Sequence, residues 1–222
     1  MILLVLAGCA TSMDLGRATT LDPGEARWSG GLAYSTISPR LSSETDYTTP
    51  WIQLEAGYHR GLGDRWEAGG RAWGMGWPTL FTTVGLAIDG KYQVHRGAVD
   101  LALAASAIYY RPALGGAPWH VGGVQLPLLV GFDMGPHQLV LSPRVGAWAW
   151  GAYGQTAQST WSAGLGVAMA FDLGAVELTP EYAWSWSPVS FNGEVIDAGK
   201  LGVSGSEIAV AISWGGAGMG VR

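Results

Sequence analysis

Val84-Gly85-Leu86-Ala87-Ile88-Asp89-Gly90-Lys91-Tyr92-Gln93-Val94 decides the fold. Val84, Leu86, Ile88, Tyr92 and Val94 fall on one parity of this run, and Asp89, Lys91 and Gln93 fall on the other. Successive side chains of a strand point to opposite faces, so the stretch reads as a strand with one apolar and one polar face. The pattern returns in Trp161-Ser162-Ala163-Gly164-Leu165-Gly166-Val167-Ala168-Met169-Ala170-Phe171-Asp172, where Ser162, Gly164, Gly166 and Asp172 oppose the apolar set. A sheet of such strands, closed on itself with its apolar face outward, is the strand architecture that a lipid bilayer accepts.

Composition points the same way. Of 222 residues only 13% are charged, about half the usual ~25% of soluble domains. Twelve Trp and 35 Gly exceed ordinary usage. No continuous apolar run reaches the ~18–20 residues of a membrane helix, so a spanning signal must be strand-type. The net charge of −5 and the lack of a basic cluster argue against nucleic acid. One Cys excludes an internal disulfide framework.

Ten strands are expected, near 25–37, 50–60, 65–75, 82–94, 98–110, 120–133, 138–150, 160–173, 175–187 and 205–214. Each has roughly the ~9–11 residues of a tilted membrane strand, or slightly more. Short connections at 61–64, 95–97, 135–137 and 174 alternate with longer ones at 38–49, 76–81, 111–119, 151–159 and 188–204. An even strand number and this alternation place both termini at the end with the short turns, the periplasmic side in outer-membrane barrels. Aromatic residues gather at strand ends, Trp28, Tyr58, Trp66, Tyr92, Phe132, Phe171 and Trp214 toward the short turns and Tyr34, Trp77, Tyr109, Trp119, Trp161, Trp184 and Trp186 toward the long loops. Two such rings fit the headgroup levels of a bilayer. Between them the outward parity is aliphatic, as at Leu54, Leu86, Leu103, Leu126, Leu128, Val145, Leu165 and Val210.

The inward parity carries Glu55, Glu67, Asp89, Asp100, Asp133, Asp172, Glu177, Glu181 and Glu207, with Arg27, Arg71, Lys91 and Arg144, and His59 nearby. Arg60, Arg65 and Arg96 fall at the short turns. A hairpin about Leu62-Gly63-Asp64 sets Glu55 opposite Arg71 and His59 opposite Glu67, and the following hairpin brings Lys91 close to Asp100. Paired, these groups fill and lock the barrel. With acids in excess, a conducting lumen of this kind prefers cations. About ten strands leave a lumen only somewhat wider than an eight-stranded one, which side chains can fill.

Taken together, residues 25–214 resemble the small outer-membrane β-barrel families of Gram-negative bacteria: an all-β, antiparallel, up-and-down transmembrane barrel of about ten strands, with eight as the alternative. Glu207 to Trp214 alternates Ile208, Val210, Ile212 and Trp214 and is similar to the terminal strand that the barrel-assembly machinery recognises. Residues 215–222 continue past it as a tail, where such strands usually finish the chain. The N-terminus resembles a lipoprotein signal. Leu6-Ala7-Gly8-Cys9 is similar to a lipobox, which implies removal of 1–8, lipidation of Cys9 and a periplasmic tether over 9–24. It departs from that family in having no Lys or Arg before a short apolar run. Ala10 in place of Asp is compatible with transfer to the outer membrane.

No catalytic constellation stands out. The four His are His59, His95, His120 and His137, and none belongs to a His-x3-His or Cys/His cluster for a metal. No Gly-x-Ser-x-Gly or phosphate-loop sequence occurs. Some ten-stranded barrels of the resembled families are rim proteases using Asp and His. Here His120 alone lies near that rim, with Glu44, Asp46, Glu194 and Asp197 in loops within possible reach, and Ser106, Ser159 and Ser162 do not single themselves out. The expectation is a non-enzymatic barrel lipoprotein without cofactor, structural or loop-binding. A narrow cation-preferring channel is the alternative, and a rim enzyme the weakest of the three. Expected partners are the bilayer, lipopolysaccharide or a surface ligand at the outer loops, and the assembly machinery during biogenesis.

Overall fold

A computed structural model describes residues 16–40, 48–77, 80–112, 119–152, 157–188, 190–191, 194–195 and 202–215. Ten long strands make one closed barrel: β1 (Ala26–Arg40), β2 (Thr49–Gly63), β3 (Trp66–Trp77), β4 (Leu80–His95), β5 (Val99–Pro112), β6 (Trp119–Met134), β7 (His137–Ala152), β8 (Gln158–Asp172), β9 (Val176–Pro188) and, last, β12 (Gly202–Trp214). Between β9 and β12 a minute separate pair, β10 (Ser190–Phe191) and β11 (Glu194–Val195), forms its own two-stranded sheet. Each barrel strand pairs antiparallel with its sequence neighbours, and β12 pairs with β1 from Trp28↔Trp214 to Arg40↔Gly202. The expected ten-stranded up-and-down barrel is therefore the observed one, and the eight-stranded alternative is excluded.

The strands run 12 to 16 residues, a few longer than expected at most ends. Their inner and outer sets follow the parity of the sequence. Along β4, Val84, Leu86 and Ile88 are exposed on the outside, whereas Asp89, Lys91 and Gln93 are buried in the lumen. Ile88 is 73% exposed and Lys91 is 0% exposed, the reverse of a water-soluble protein. Aromatic residues mark both ends of the outer surface. Trp28 packs on Tyr58 and Trp66 on Tyr92, each with ring centroids 4.6 Å apart, near the short turns. Trp161 meets Trp186 edge-on near the long loops.

The short turns are built by glycine where the backbone demands it. Gly135 takes φ +73° in the two-residue link between β6 and β7, and Gly174 takes φ +89° between β8 and β9. A residue with a Cβ is strained at such angles. The end of the barrel with these links is called the turn end below, and the opposite one the loop end.

One register departs from the sequence expectation. In the β2–β3 hairpin Gly57 faces Arg71, His59 faces Gly69 and Glu55 faces Trp73, with a bulge between Gly61 and Gly63. The two-residue turn at Asp64-Arg65 and that bulge displace the pairing by two residues, which preserves the parity of every side chain while changing its partner.

Closure through β1 and β12 gives a direct expectation. With Cys9→Ser to remove the native thiol, Tyr34→Cys together with Ile208→Cys forms a disulfide on mild oxidation, because the two positions are register partners. Tyr34→Cys with Ile212→Cys stays reduced, since that pair lies beyond the ~7 Å Cα reach of a disulfide. Thiol titration and gel mobility of the folded protein read both.

Candidate functional site

The lumen is the site that the sequence marks, and its side chains form three levels. At mid-height Arg71 from β3 donates from Nε to Asp89 Oδ2 at 2.7 Å and from NH2 to Asp89 Oδ1 at 3.0 Å, a two-pronged ion pair with β4. Ser106 on β5 donates to the same Asp89 at 2.6 Å, and Arg71 also reaches Glu55 on β2 at 3.4 Å. His59 Nε2 stands 3.4 Å from Asp89 Oδ2. Across the lumen Arg144 on β7 pairs with Glu181 on β9 at 3.3 Å and donates to Ser142 Oγ at 3.1 Å. Glu207 on β12 accepts a 2.6 Å bond from Ser35 Oγ on β1. These groups are shut off from water and would each carry a large desolvation cost if unpaired.

Toward the turn end Glu67 is the hub. Lys91 Nζ lies 3.0 Å from Glu67 Oε2 and Arg27 NH2 lies 3.2 Å from Glu67 Oε1. The expected approach of Lys91 to Asp100 is not what forms. Lys91 faces Ala104 in the β4–β5 ladder, because a bulge at Gln93/His95 shifts the hairpin. Asp100 instead accepts from Gln138 Nε2 at 2.8 Å and from the Gly97 amide at 3.1 Å. Asp133 also accepts from Gln138 Nε2 at 2.8 Å, on the exposed rim. Asp172 accepts from the Gly174 amide at 2.8 Å and so shapes a turn. Glu177 pairs with Arg17.

Residues 16–21, expected as part of a tether, are instead packed into this mouth, with Asp22 to Gly24 exposed beyond it. The Ala18 amide donates to Gln138 Oε1 at 2.8 Å, and the Leu21 amide to Glu67 Oε2 at 3.1 Å. Thr20 donates to Gln93 Oε1 from its amide at 3.2 Å and from its hydroxyl at 3.0 Å. Lys91 Nζ donates to Arg17 O at 3.1 Å, and Arg17 NH2 to Pro136 O at 2.8 Å. Ala18 is 0% exposed. The physical reason is supply and demand. The inward acids and amides of the strands need partners in a closed lumen, and an extended backbone offers an amide and a carbonyl at every residue. Cys9 and residues 216–222 lie outside the described residues.

The loop-end half of the lumen is a different medium. Trp73, Ala87, Ile108, Tyr110, Val121, Trp148 and Trp150 form one buried apolar cluster, and Ile37, Trp51, Met75 and Val203 a second. The expected polar lumen therefore describes the turn-end half and mid-height, where charged and amide groups surround a small apolar cluster of Ala18, Ala102, Ala104, Leu129, Val140 and Ala168, while aromatic and aliphatic side chains gather toward the loop end. The signal was present in the parity. Trp148 and Trp150 share the face of Arg144, Trp73 that of Arg71, and Tyr110 that of Ser106. Each of two rings also lies over a glycine on the next strand, Trp73 opposite Gly85 and Trp148 opposite Gly123. A Cβ at either glycine would run into the ring. Trp148 Nε1 is satisfied by Ser162 Oγ at 2.9 Å.

Between these levels a cavity of about 40 Å³ remains, edged by Arg27, Glu55, His59, Arg71, Glu177 and Glu181. That is room for a very small number of waters among charged groups. Among the described residues no group of His, Cys, Asp and Glu has the arrangement of a metal site. His120 sits on the loop-end rim with its Nδ1 2.5 Å from the Tyr109 hydroxyl. Glu44, Asp46 and Asp197 lie outside the described residues, as does the side chain of Glu194. Ser106 is committed to Asp89 in the lumen.

Removing one member of the mid-height cluster tests how much the barrel depends on it. Arg71→Met leaves Asp89 and Glu55 buried without their cation. It is expected to lower unfolding stability by ~3–5 kcal/mol, read as an earlier denaturant midpoint of the refolded barrel.

No family model matches the sequence, and no curated protein matches it. Solved structures with a related shape include the outer membrane protease OmpT from Escherichia coli, at 9% identity and TM-score 0.47, covering 92% of this chain and 100% of that one. Neisserial surface protein A is similar at 12% identity and TM-score 0.42, over 85% of this chain and 96% of that one. The NanC porin is similar at 13% identity and TM-score 0.42, over 84% and 98%. A protease, a surface protein and a porin share this level of likeness, and it accompanies no single activity.

Proposed function

We propose that the chain is a bacterial outer-membrane β-barrel of structural, non-enzymatic role, with a closed lumen and with its loop end as the surface that meets partners. The observation that carries the reading is the filling of the lumen along its length: residues 16–22 at the turn end, ion pairs at mid-height, aromatic rings toward the loop end. A barrel packed in this way acts as a rigid anchor for loops rather than as a conduit.

The membrane assignment rests on the outer surface. Val84, Leu86, Ile88, Leu103, Leu126, Val145, Leu165 and Ile208 are all exposed on the outside of the strands. A continuous apolar band of this kind is far more than a soluble monomer leaves to water. A closed ladder has no edge, so the backbone makes no demand on hydrocarbon. The aromatic rings at both ends suit the headgroup levels. In this reading the turn end is periplasmic, Cys9 carries a lipid beside it, and Glu207 to Trp214 is what the assembly machinery engages. The partner at the loop end is lipopolysaccharide or a surface ligand.

Two measurements check the proposal. In a planar bilayer the refolded mature protein is expected to be silent. Cation-preferring steps that Glu181→Gln or Asp89→Asn alters would overturn the closed-barrel reading and make the lumenal acids a path for small solutes. For the bilayer itself, Ile88→Lys places a cation at the middle of the outward face. It is expected to cost ~2–4 kcal/mol of folding free energy in lipid vesicles, and a neutral effect there would remove the membrane assignment.

A further inference from the structure

Residues 16–22 are held in a way that a mere filling of space does not require. The lumen grips the backbone of the segment, through the amides of Ala18, Thr20 and Leu21 and the carbonyl of Arg17, using side chains from β3, β4 and β7. Three positions are also read by side chain. Arg17 is taken between Glu177 and the Pro136 carbonyl. Ala18 lies against Gly131, where an added Cβ would come 2.7 Å from the Cβ of Ala18. The Thr20 hydroxyl is bound by Gln93. The barrel strands keep their own ladders throughout, so the segment is a guest in the fold and not one of its members.

We propose that the turn-end half of the lumen is a binding site for an extended peptide, that residues 16–22 are its resident occupant, and that this occupant is exchangeable for a segment of the same kind from outside. The ligand class follows from the contacts: a cation, then a small residue, then an unrestricted one, then a hydroxyl, as in Arg17-Ala18-Thr19-Thr20. Exchange is feasible for two reasons. The only side chain of the segment within the buried apolar cluster is Ala18, so leaving uncovers little apolar surface. The groups that held its amides, its carbonyl and its Arg17 and Thr20 side chains are polar, beside the small patch of Ala102, Ala104, Leu129, Val140 and Ala168 that Ala18 covers, and they border a mouth cavity of about 440 Å³ lined by Thr19, Asp22, Arg96, Asp100 and Asp172 among others, through which water and a peptide can enter. The inference rests on the geometry of the mouth and is independent of whether the barrel conducts or what its loops bind.

The test vacates the site in the full-length protein. Arg17→Ala with Ala18→Trp removes the cation and makes position 18 too large to seat over Gly131. Hydrogen exchange of the amides of residues 17–21 is expected to quicken roughly tenfold or more, the equivalent of losing about one charge-assisted bond, while the strand amides stay protected. A fluorescent peptide with the sequence of residues 16–24 is then expected to bind the vacated barrel saturably, and adding Gly131→Val should abolish that binding. Heat-modifiable gel migration confirms that each variant is folded. If the amides stay protected in the double variant, the segment is a fixed part of the fold and exchange is excluded. If the site empties but the folded barrel takes up no peptide, or takes it up equally with Gly131→Val, the lumen is not the receptor.

Discussion

Pairing of β1 with β12 is the constraint on which everything else depends. Once Trp28 to Arg40 is laddered to Gly202 to Trp214, the sheet has no edge, and every strand has a neighbour on both sides. A backbone satisfied in this way leaves each strand free to sort its side chains by face alone. Apolar residues go outward and polar ones inward, against the usual order, because the ladder leaves no polar demand at the outer surface. An open sheet with the same sequence would present a row of unmet amides beside its most apolar residues.

Inward sorting creates its own problem, which the lumen resolves locally. Asp89 is approached by Arg71, Ser106 and His59, and Glu67 by Lys91, Arg27 and the Leu21 amide. Each hub gathers donors from several elements, Asp89 on β4 from β2, β3 and β5 and Glu67 on β3 from β1, β4 and the N-terminal segment, so charge compensation ties neighbouring strands together inside the lumen as the ladders do around it. Buried ion pairs of this kind add little net stability compared with apolar packing, but losing one partner is expensive. They therefore act as a specification of the register that the barrel must adopt. Near the loop end the same service is rendered by shape, with Trp73 lying on Gly85 and Trp148 on Gly123. The turn-end segment belongs to the polar solution. Without it the Gln138 acceptor oxygen that now holds the Ala18 amide would have to find water, whereas Gln93 Oε1, which holds Thr20, would keep its bond from Arg96.

The sequence by itself pointed to ten strands, with eight as the alternative, to their approximate bounds, to the two faces of each strand, and to a first barrel strand that starts and a last one that ends at the end with the short turns. All of these follow from a two-residue period and from the lengths of the connections, which are local properties. It also put the acids and bases on the inward parity, because face is a matter of parity; most of them are buried, whereas Asp133 is exposed on the rim and Asp172 shapes a turn. What it could not assign was partner. The pairing of Lys91 with Glu67 in place of Asp100, and of Gly57 with Arg71 in place of Glu55, turns on bulges at Gln93/His95 and Gly61/Gly63 that move a register without changing any face. The fate of residues 16–24 was equally invisible. Gly16-Arg17-Ala18-Thr19-Thr20 has no period, and only the three-dimensional gathering of Gln93, Gln138, Glu67, Lys91 and Glu177 in one mouth makes a place for it. Tertiary structure decided these points because a barrel brings together side chains from many strands, and the energy of their contacts depends on register, which alternation leaves free.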